Sequence, residues 1–179
     1  MFINPKHAIQ EGWISGIKDE DVQVQPNAID FTLDRLFSIS DNEFIICADP
    51  ANAFKEIKQM RGGTEIAPYP DRRTGIQFFN LDTGSYDILS DVYVDLPQGV
   101  AALLVTRSTF IRNGLFLIAG LYDSGFKGHI GCVLHNLKGT AKVQKGTRVG
   151  QVIFVSSENA KLYAGHYNHE LGTNAPHVN

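Results

Sequence analysis

Apolar and polar residues alternate along short stretches of this chain. Val92-Tyr93-Val94-Asp95-Leu96 is the clearest case, and the turn formers Pro97-Gln98-Gly99 follow it. A period of two puts successive side chains on opposite faces, which suits a half-buried strand. Ala28–Leu33 reads as another strand. So do Val100–Val105, Gly114–Ala119, Ile130–His135, Ala141–Val143 and Val149–Val155, with turns such as Lys138-Gly139 and Lys145-Gly146 between them. The N-terminus has a different period. Asn4 is placed as a helix N-cap with Pro5 at the first helical position, Ile9 and Trp13 share one face, and Gly16 is the expected stop. Many short strands at about 10-residue spacing predict an all-β sandwich or barrel rather than a βαβ fold.

The middle of the chain breaks the pattern. Ala51–Met60 reads as a short helix ended by Arg61-Gly62-Gly63. Thr64 to Asp91 is rich in turn formers and is expected to leave the core, so 41–91 is taken as a variable insertion. From Ser156 the sequence turns polar, and 156–179 is expected to be a mobile tail. The 179 residues suit one domain, 1–179, long enough to bury a core without disulfides. A net charge of -3 argues against a general nucleic-acid binder. No apolar run reaches about 18 residues and no signal peptide is visible, so no membrane partner and a cytoplasmic location are expected. Cys47 and Cys132 lack metal-ligand spacing and read as buried free thiols, as a reducing compartment allows.

Three segments carry candidate chemistry. Thr106-Arg107-Ser108-Thr109-Phe110-Ile111-Arg112-Asn113-Gly114 offers two guanidiniums and two hydroxyls just after a strand. Arginine presents a planar fork of donors matched to phosphate. Alone, this stretch reads first as a solvated turn. Ala119-Gly120-Leu121-Tyr122-Asp123-Ser124-Gly125-Phe126-Lys127-Gly128 sets an Asp among aromatics between two strands. Such a carboxylate can orient and deprotonate water, or simply cap its own turn. Gly146-Thr147-Arg148-Val149-Gly150-Gln151-Val152-Ile153-Phe154 runs from a turn into a buried strand, with Gln151 as a functional or a structural amide.

In order and spacing the three resemble the dUTPase and dCTP deaminase superfamily. Arg107-Ser108 looks like its phosphate-binding R-S pair. Residues 119–128 are similar to its G-x-x-D-x-G-aromatic-x-G motif, and 146–154 to its G-x-R-x-x-Q-x-x-F motif. A fourth match lies in Val24-Gln25-Pro26-Asn27-Ala28-Ile29-Asp30-Phe31-Thr32-Leu33-Asp34-Arg35-Leu36-Phe37, which resembles the V-Q-P stretch of dCTP deaminases. The leading helix also fits the deaminase branch. The resemblance covers roughly residues 1–40 and 92–170.

The resemblance implies a distorted, jelly-roll-like β-barrel (the β-clip of dUTPases), homotrimeric, with sites at subunit interfaces. By matching position, Arg107, Ser108, Thr109 and Arg112 would hold a triphosphate, and Gln151 would shape the same pocket. The backbone around Ala119 would read the pyrimidine edge, Phe126 would stack on the deoxyribose, and Asp123 would position water. Magnesium would be bound mainly through substrate phosphates, with no protein cage. Deaminases of the family use a glutamate ten residues after the motif Asp; here that position is Val133, which cannot move a proton. His135, two residues on, faces the same side but is offset by about 6–7 Å. In the tail, Tyr163 matches the Tyr that closes the deaminase site, His166 stands in place of a Lys and could still donate to phosphate, and Glu170 replaces a Gln and would repel phosphate. Three readings follow: a dUTP diphosphatase, favoured by Val133; a dCTP deaminase, or a variant acting on a modified deoxynucleotide; and a non-catalytic nucleotide-binding regulatory trimer.

Overall fold

In the computed structural model, residues 1–39, 63–158 and 161–164 are described. Helix α1 (Pro5–Gln10) begins as expected: the Asn4 side chain accepts a hydrogen bond from the Lys6 amide, and Pro5 occupies the first turn. It ends before Gly16. Gly12 takes φ 72°, its amide bonds Ile9 O, and the Trp13 amide bonds Ala8 O at 2.9 Å. That reciprocal pair closes a helix through a left-handed glycine. Trp13 therefore lies beyond the helix, and Ile14–Ser15 form strand β1. A short helix α2 (Glu20–Gln23), capped by Asp19, precedes strands β2 (Ile29–Thr32) and β3 (Arg35–Ser38).

After the gap come β4 (Tyr69–Pro70), β5 (Gln77–Leu81), β6 (Gly84–Asp95) and β7 (Val100–Thr106). Helix α3 (Ser108–Ile111) leads to β8 (Leu115–Ile118), β9 (Lys127–Asn136), β10 (Ala141–Gln144) and β11 (Arg148–Ser156). The fold is all-β with few helices. Its strands form three sheets: β1-β6-β9-β8 with β3 also on β6, β10-β5-β4, and β2-β11-β7. Among the described residues these sheets remain open, so the barrel expectation is met only as packed open sheets.

The stretch from Thr64 to Asp91 does not leave the core. It supplies β4, β5 and most of β6, and Phe79, Leu81 and Ile88 are at most 1% exposed. Turn formers concealed this, because Asp82-Thr83 is a tight corner between two core strands rather than the start of a loop. The expected helix over 51–60 lies outside the described residues.

Two local constraints fix the strand registers. The β6–β9 ladder slips between Leu89 and Tyr93, and a bulge leaves backbone groups unpaired. Asp34 and Ser90 take them up. The Asp34 carboxylate accepts from Thr32 Oγ1 (2.5 Å), the Asp91 amide (2.9 Å), Ser90 Oγ (3.3 Å) and Lys18 Nζ (2.7 Å). Ser90 Oγ accepts from the amides of Thr32 and Val92. Burial alone would raise the Asp34 carboxyl, but the hydrogen bonds from Lys18, Thr32 and the Asp91 amide hold it below the usual range. The second constraint is Gly150, paired with Phe31 across β11 and β2. A Cβ there would lie 2.4 Å from Phe31 Cζ and 2.6 Å from Leu117 Cδ1.

Two outcomes follow for stability. Gly150→Ala overpacks a site whose main neighbour, Phe31, is fully buried, and should lower stability by about 1–3 kcal/mol; denaturant unfolding checks it. Because the folded Asp34 carboxyl lies below its unfolded value, its stabilisation is complete above the ordinary carboxylate range and is lost as pH falls through the folded value. The melting temperature of the wild type should exceed that of Asp34→Asn at neutral pH, and the two should converge towards pH ~2–3.

Candidate functional site

β11 lies between β2 and β7, and its register sets Asp30, Gln151 and Val105 in one row across the sheet. Residues in such a row share a face. Asp30 is fully buried there. Its Oδ1 accepts from Gln151 Nε2 at 2.9 Å and its Oδ2 from Arg148 Nη1 at 2.8 Å, with Arg107 Nε 3.4 Å from the same oxygen. Arg107 Nη1 also donates to Arg148 O (3.1 Å), and Arg148 Nη1 to Val22 O (2.7 Å). One buried carboxylate thus fixes two guanidiniums whose side chains stay 27% and 30% exposed. A buried charge is tolerated when paired and hydrogen-bonded in this way. The balance is one net positive charge facing outward, suited to an anion.

Arg107 also directs the chain into α3. Its carbonyl accepts from the amides of Phe110 (2.9 Å) and Ile111 (3.2 Å). Phe110 is buried and anchors the turn, while Ser108, Thr109 and Arg112 are exposed beside it. Arg107 and Gln151 are therefore brought together, with Ser108, Thr109 and Arg112 on the adjoining turn. Asp30 and Arg148 were missed as site residues although both stand within the quoted motifs; only the strand register shows that they meet.

The other expected residues cluster on the β8–β9 connection. Tyr122 makes two backbone hydrogen bonds with Ala102, Ser124 Oγ donates to Val100 O (2.8 Å), and the Gly125 amide donates to Leu96 O. These bonds fix the loop to the start of β7 and leave Asp123 exposed. Phe126 is buried, its ring 4.8 Å from Tyr122 and 5.7 Å from Tyr163. The Tyr163 amide donates to Ser124 O at 2.8 Å, so the tail starts against the Asp123 loop. Ala119 lies just past β8. His166 and Glu170 are outside the described residues. Tyr122 bridges Ala102, and five residues of extended chain from there to Arg107 span about 16 Å. The two clusters thus lie at opposite ends of β7.

On β9, Val133 pairs with Ile118 on one side and Asp87 on the other. His135 is on the same face, its Nδ1 2.7 Å from Ser85 Oγ and its ring 5.3 Å from Phe116. Cys132 points inward, where burial, with Asp87 adding, pushes its thiol well up. Asn136 is fully buried and donates its amide to the carbonyls of Leu81, Asp82 and Gly139, closing a corner. Among the described residues no three His, Cys, Asp or Glu side chains gather as a metal site. Both Asp30 oxygens are taken by cationic or amide donors, so that carboxylate does not suit a cation. Among the described residues no helix is long and apolar enough to cross a membrane.

A family model described as dCTP deaminase-like matches residues 4–157. A probable deoxyuridine 5'-triphosphate nucleotidohydrolase of Methanococcoides burtonii is 29% identical over 161 residues, covering 88% of each chain. A Sulfurihydrogenibium sp. protein named dCTP deaminase, dUMP-forming, is 29% identical over 188 residues, covering 99% of this chain and 97% of its own. The crystal structure of 2'-deoxycytidine 5'-triphosphate deaminase from Agrobacterium tumefaciens superposes with a TM-score of 0.62 at 17% identity, covering 87% of this chain and 48% of that one. This chain spans about half the length of that deaminase, and the likeness is one of fold.

Asp30→Asn removes the charge that fixes Arg107 and Arg148 and should cost about 1–3 kcal/mol in denaturant unfolding. Cys132 should resist alkylation in the native protein and react once unfolded; peptide mass mapping separates it from Cys47.

Proposed function

The chain belongs to the dCTP deaminase-like family, and we propose that within it this protein acts on deoxypyrimidine nucleoside triphosphates as a dUTP diphosphatase, converting dUTP and water to dUMP and pyrophosphate. The observation that carries this reading is Val133. Deamination at C4 needs a group that shuttles protons, and an isopropyl side chain cannot do so. Hydrolysis of the α-phosphate needs only a positioned water, a base and an anion clamp.

Arg107, Ser108, Thr109 and Arg112 hold the triphosphate, with Asp30 and Gln151 fixing the angle of the Arg107 fork. Asp123 orients a water and takes its proton as the water oxygen attacks the α-phosphorus. The bond from that phosphorus to the bridging oxygen breaks, and pyrophosphate leaves with the electron pair. Phe126 supports the deoxyribose, the backbone at Ala119 meets the base, and Tyr163 and His166 belong to a closing tail. Magnesium, held mainly by the substrate's own phosphates rather than by protein carboxylates, would supply neutralisation of phosphate charge beside Arg107 and Arg112.

The separation of Arg107 from Asp123 along β7 supports a site shared between copies of the chain in a homotrimer. Leu103 and Val105, 41% and 37% exposed on β7, give such copies an apolar surface to bury. A second reading, deamination of dCTP through to dUMP, is favoured by the near full-length match to the Sulfurihydrogenibium protein.

Incubation with magnesium and, separately, dUTP, dCTP, dTTP and dATP decides between them. Pyrophosphate and dUMP from dUTP, with no ammonia from dCTP, are expected. Ammonia from dCTP would establish the second reading, and no turnover at all would leave a binding protein. Asp123→Asn should reduce turnover by about 10²-fold or more while nucleotide binding persists. Val133→Glu should release ammonia from dCTP if the rest of the deaminase pocket is present.

A further inference from the structure

The β8–β9 ladder stops early. It runs from Leu115↔Asn136 to Ile118↔Val133, and the same register would place Gly120 opposite Gly131. That rung does not form. Instead the chain swings to β7, where Tyr122 pairs with Ala102 through both backbone groups, at 2.8 and 3.0 Å.

Gly131 is left with an amide and a carbonyl facing the departed strand, while its other edge belongs to the ladder with Leu89. Buried, unsatisfied backbone groups cost about 1–3 kcal/mol each. A single atom satisfies both. The Tyr122 hydroxyl donates to Gly131 O at 2.6 Å and accepts from Gly131 N at 3.1 Å. The Tyr122 ring is held edge-on to Phe126, so the hydroxyl has little freedom to withdraw. Among the described residues, Ala119, Gly120 and Leu121 enter no ladder pair and no turn hydrogen bond. Gly120 and Leu121 are exposed.

We infer that the Tyr122 hydroxyl is a positioning group that keeps the segment 119–121 unzipped, so that its backbone donors and acceptors receive the edge of a deoxypyrimidine base, a role that rests on the substrate class proposed above. A pyrimidine edge carries a donor and an acceptor side by side, as an open strand edge does. Uracil and cytosine exchange those groups, so the register of the open segment sets the preference between them.

Tyr122→Phe keeps the ring packing and removes the hydroxyl. Gly120 is the backbone that the β8–β9 register sets opposite Gly131, so the hairpin is expected to zip shut. For Tyr122→Phe, the KM for dUTP should rise about tenfold, kcat should change far less, and the discrimination between dUTP and dCTP should narrow. A general loss of folding would not give that split. On the wild type, hydrogen exchange should show fast amides at Gly120 and Leu121 that become protected by a non-hydrolysable α,β-imido dUTP, with the Gly131 amide protected throughout. That measurement stands even if the variant does not fold. Wild-type turnover of dUTP with an unchanged KM in Tyr122→Phe, or no protection of Gly120 and Leu121 at saturating analogue, overturns the role of Tyr122 alone. A wild type that neither binds nor turns over any deoxypyrimidine triphosphate overturns the substrate class, and this role with it.

Discussion

A carboxylate with no exposure must find its counter-charges inside the fold, and Asp30 is that group. Its partners come from distant parts of the chain: Arg107 at the end of β7, and Arg148 and Gln151 on β11. Moving Arg148 or Gln151 strips the buried carboxylate of a hydrogen bond, and moving both guanidiniums leaves its charge unpaired, at a cost of several kcal/mol. The three-stranded sheet is thereby locked in register, and so is the direction of the Arg107 fork. The same requirement explains why Gly150 sits one residue from Gln151. The sheet's inner face admits no Cβ beside Phe31, while its outer face carries the charge cluster. Packing on one side and electrostatics on the other thus specify a single alignment of β11.

That alignment separates the two halves of the proposed chemistry. β7 is a rigid extended strand with Arg107 at one end and the Asp123 loop fixed to the other through Ala102. A triphosphate clamp and a water-activating carboxylate placed so far apart do not converge on one phosphorus within one copy of the chain. In the proposed homotrimer the Asp123 loop of a second copy would come to the Arg107 end without any bending of the strand. In the proposed site the anion clamp is built within each chain, and its completion would come with association.

The strand from Val92 was legible because it alternates between a buried and a less buried face, and the one from Ala28 as a short run of strand-forming residues that is buried on both faces. The Asn4-Pro5 start was equally legible, since capping is a local interaction. The stop was misplaced from Gly12 to Gly16 because both glycines take positive φ and only the hydrogen bonds show which one ends the helix. Residues 64–91 were misread for a different reason. Phe79, Leu81 and Ile88 are core residues, but polar corners interrupt their pattern. At the site, each motif showed which residue types were present. The pairing of Asp30 with Arg148, 118 positions away, and the double use of the Tyr122 hydroxyl are tertiary facts with no local signature.

The sheet itself gives a reason for an apolar residue at position 133. Val133 stands beside Ile118 in one ladder and beside Asp87 in the other. A glutamate there would place a second carboxylate directly across from Asp87, and like charges in a cross-strand pair repel. The pair would relieve that repulsion by keeping one carboxyl protonated, which changes when and whether it can accept a proton. Valine avoids the conflict and adds apolar contact with Ile118. Asp87 and Val133 are thus mutually consistent in a way that Asp87 and a glutamate are not. β6 therefore constrains which residue position 133 accommodates. An apolar residue at 133 is thus consistent with the proposed hydrolysis, in which the base would be bound without being altered and the bond would break at the phosphate.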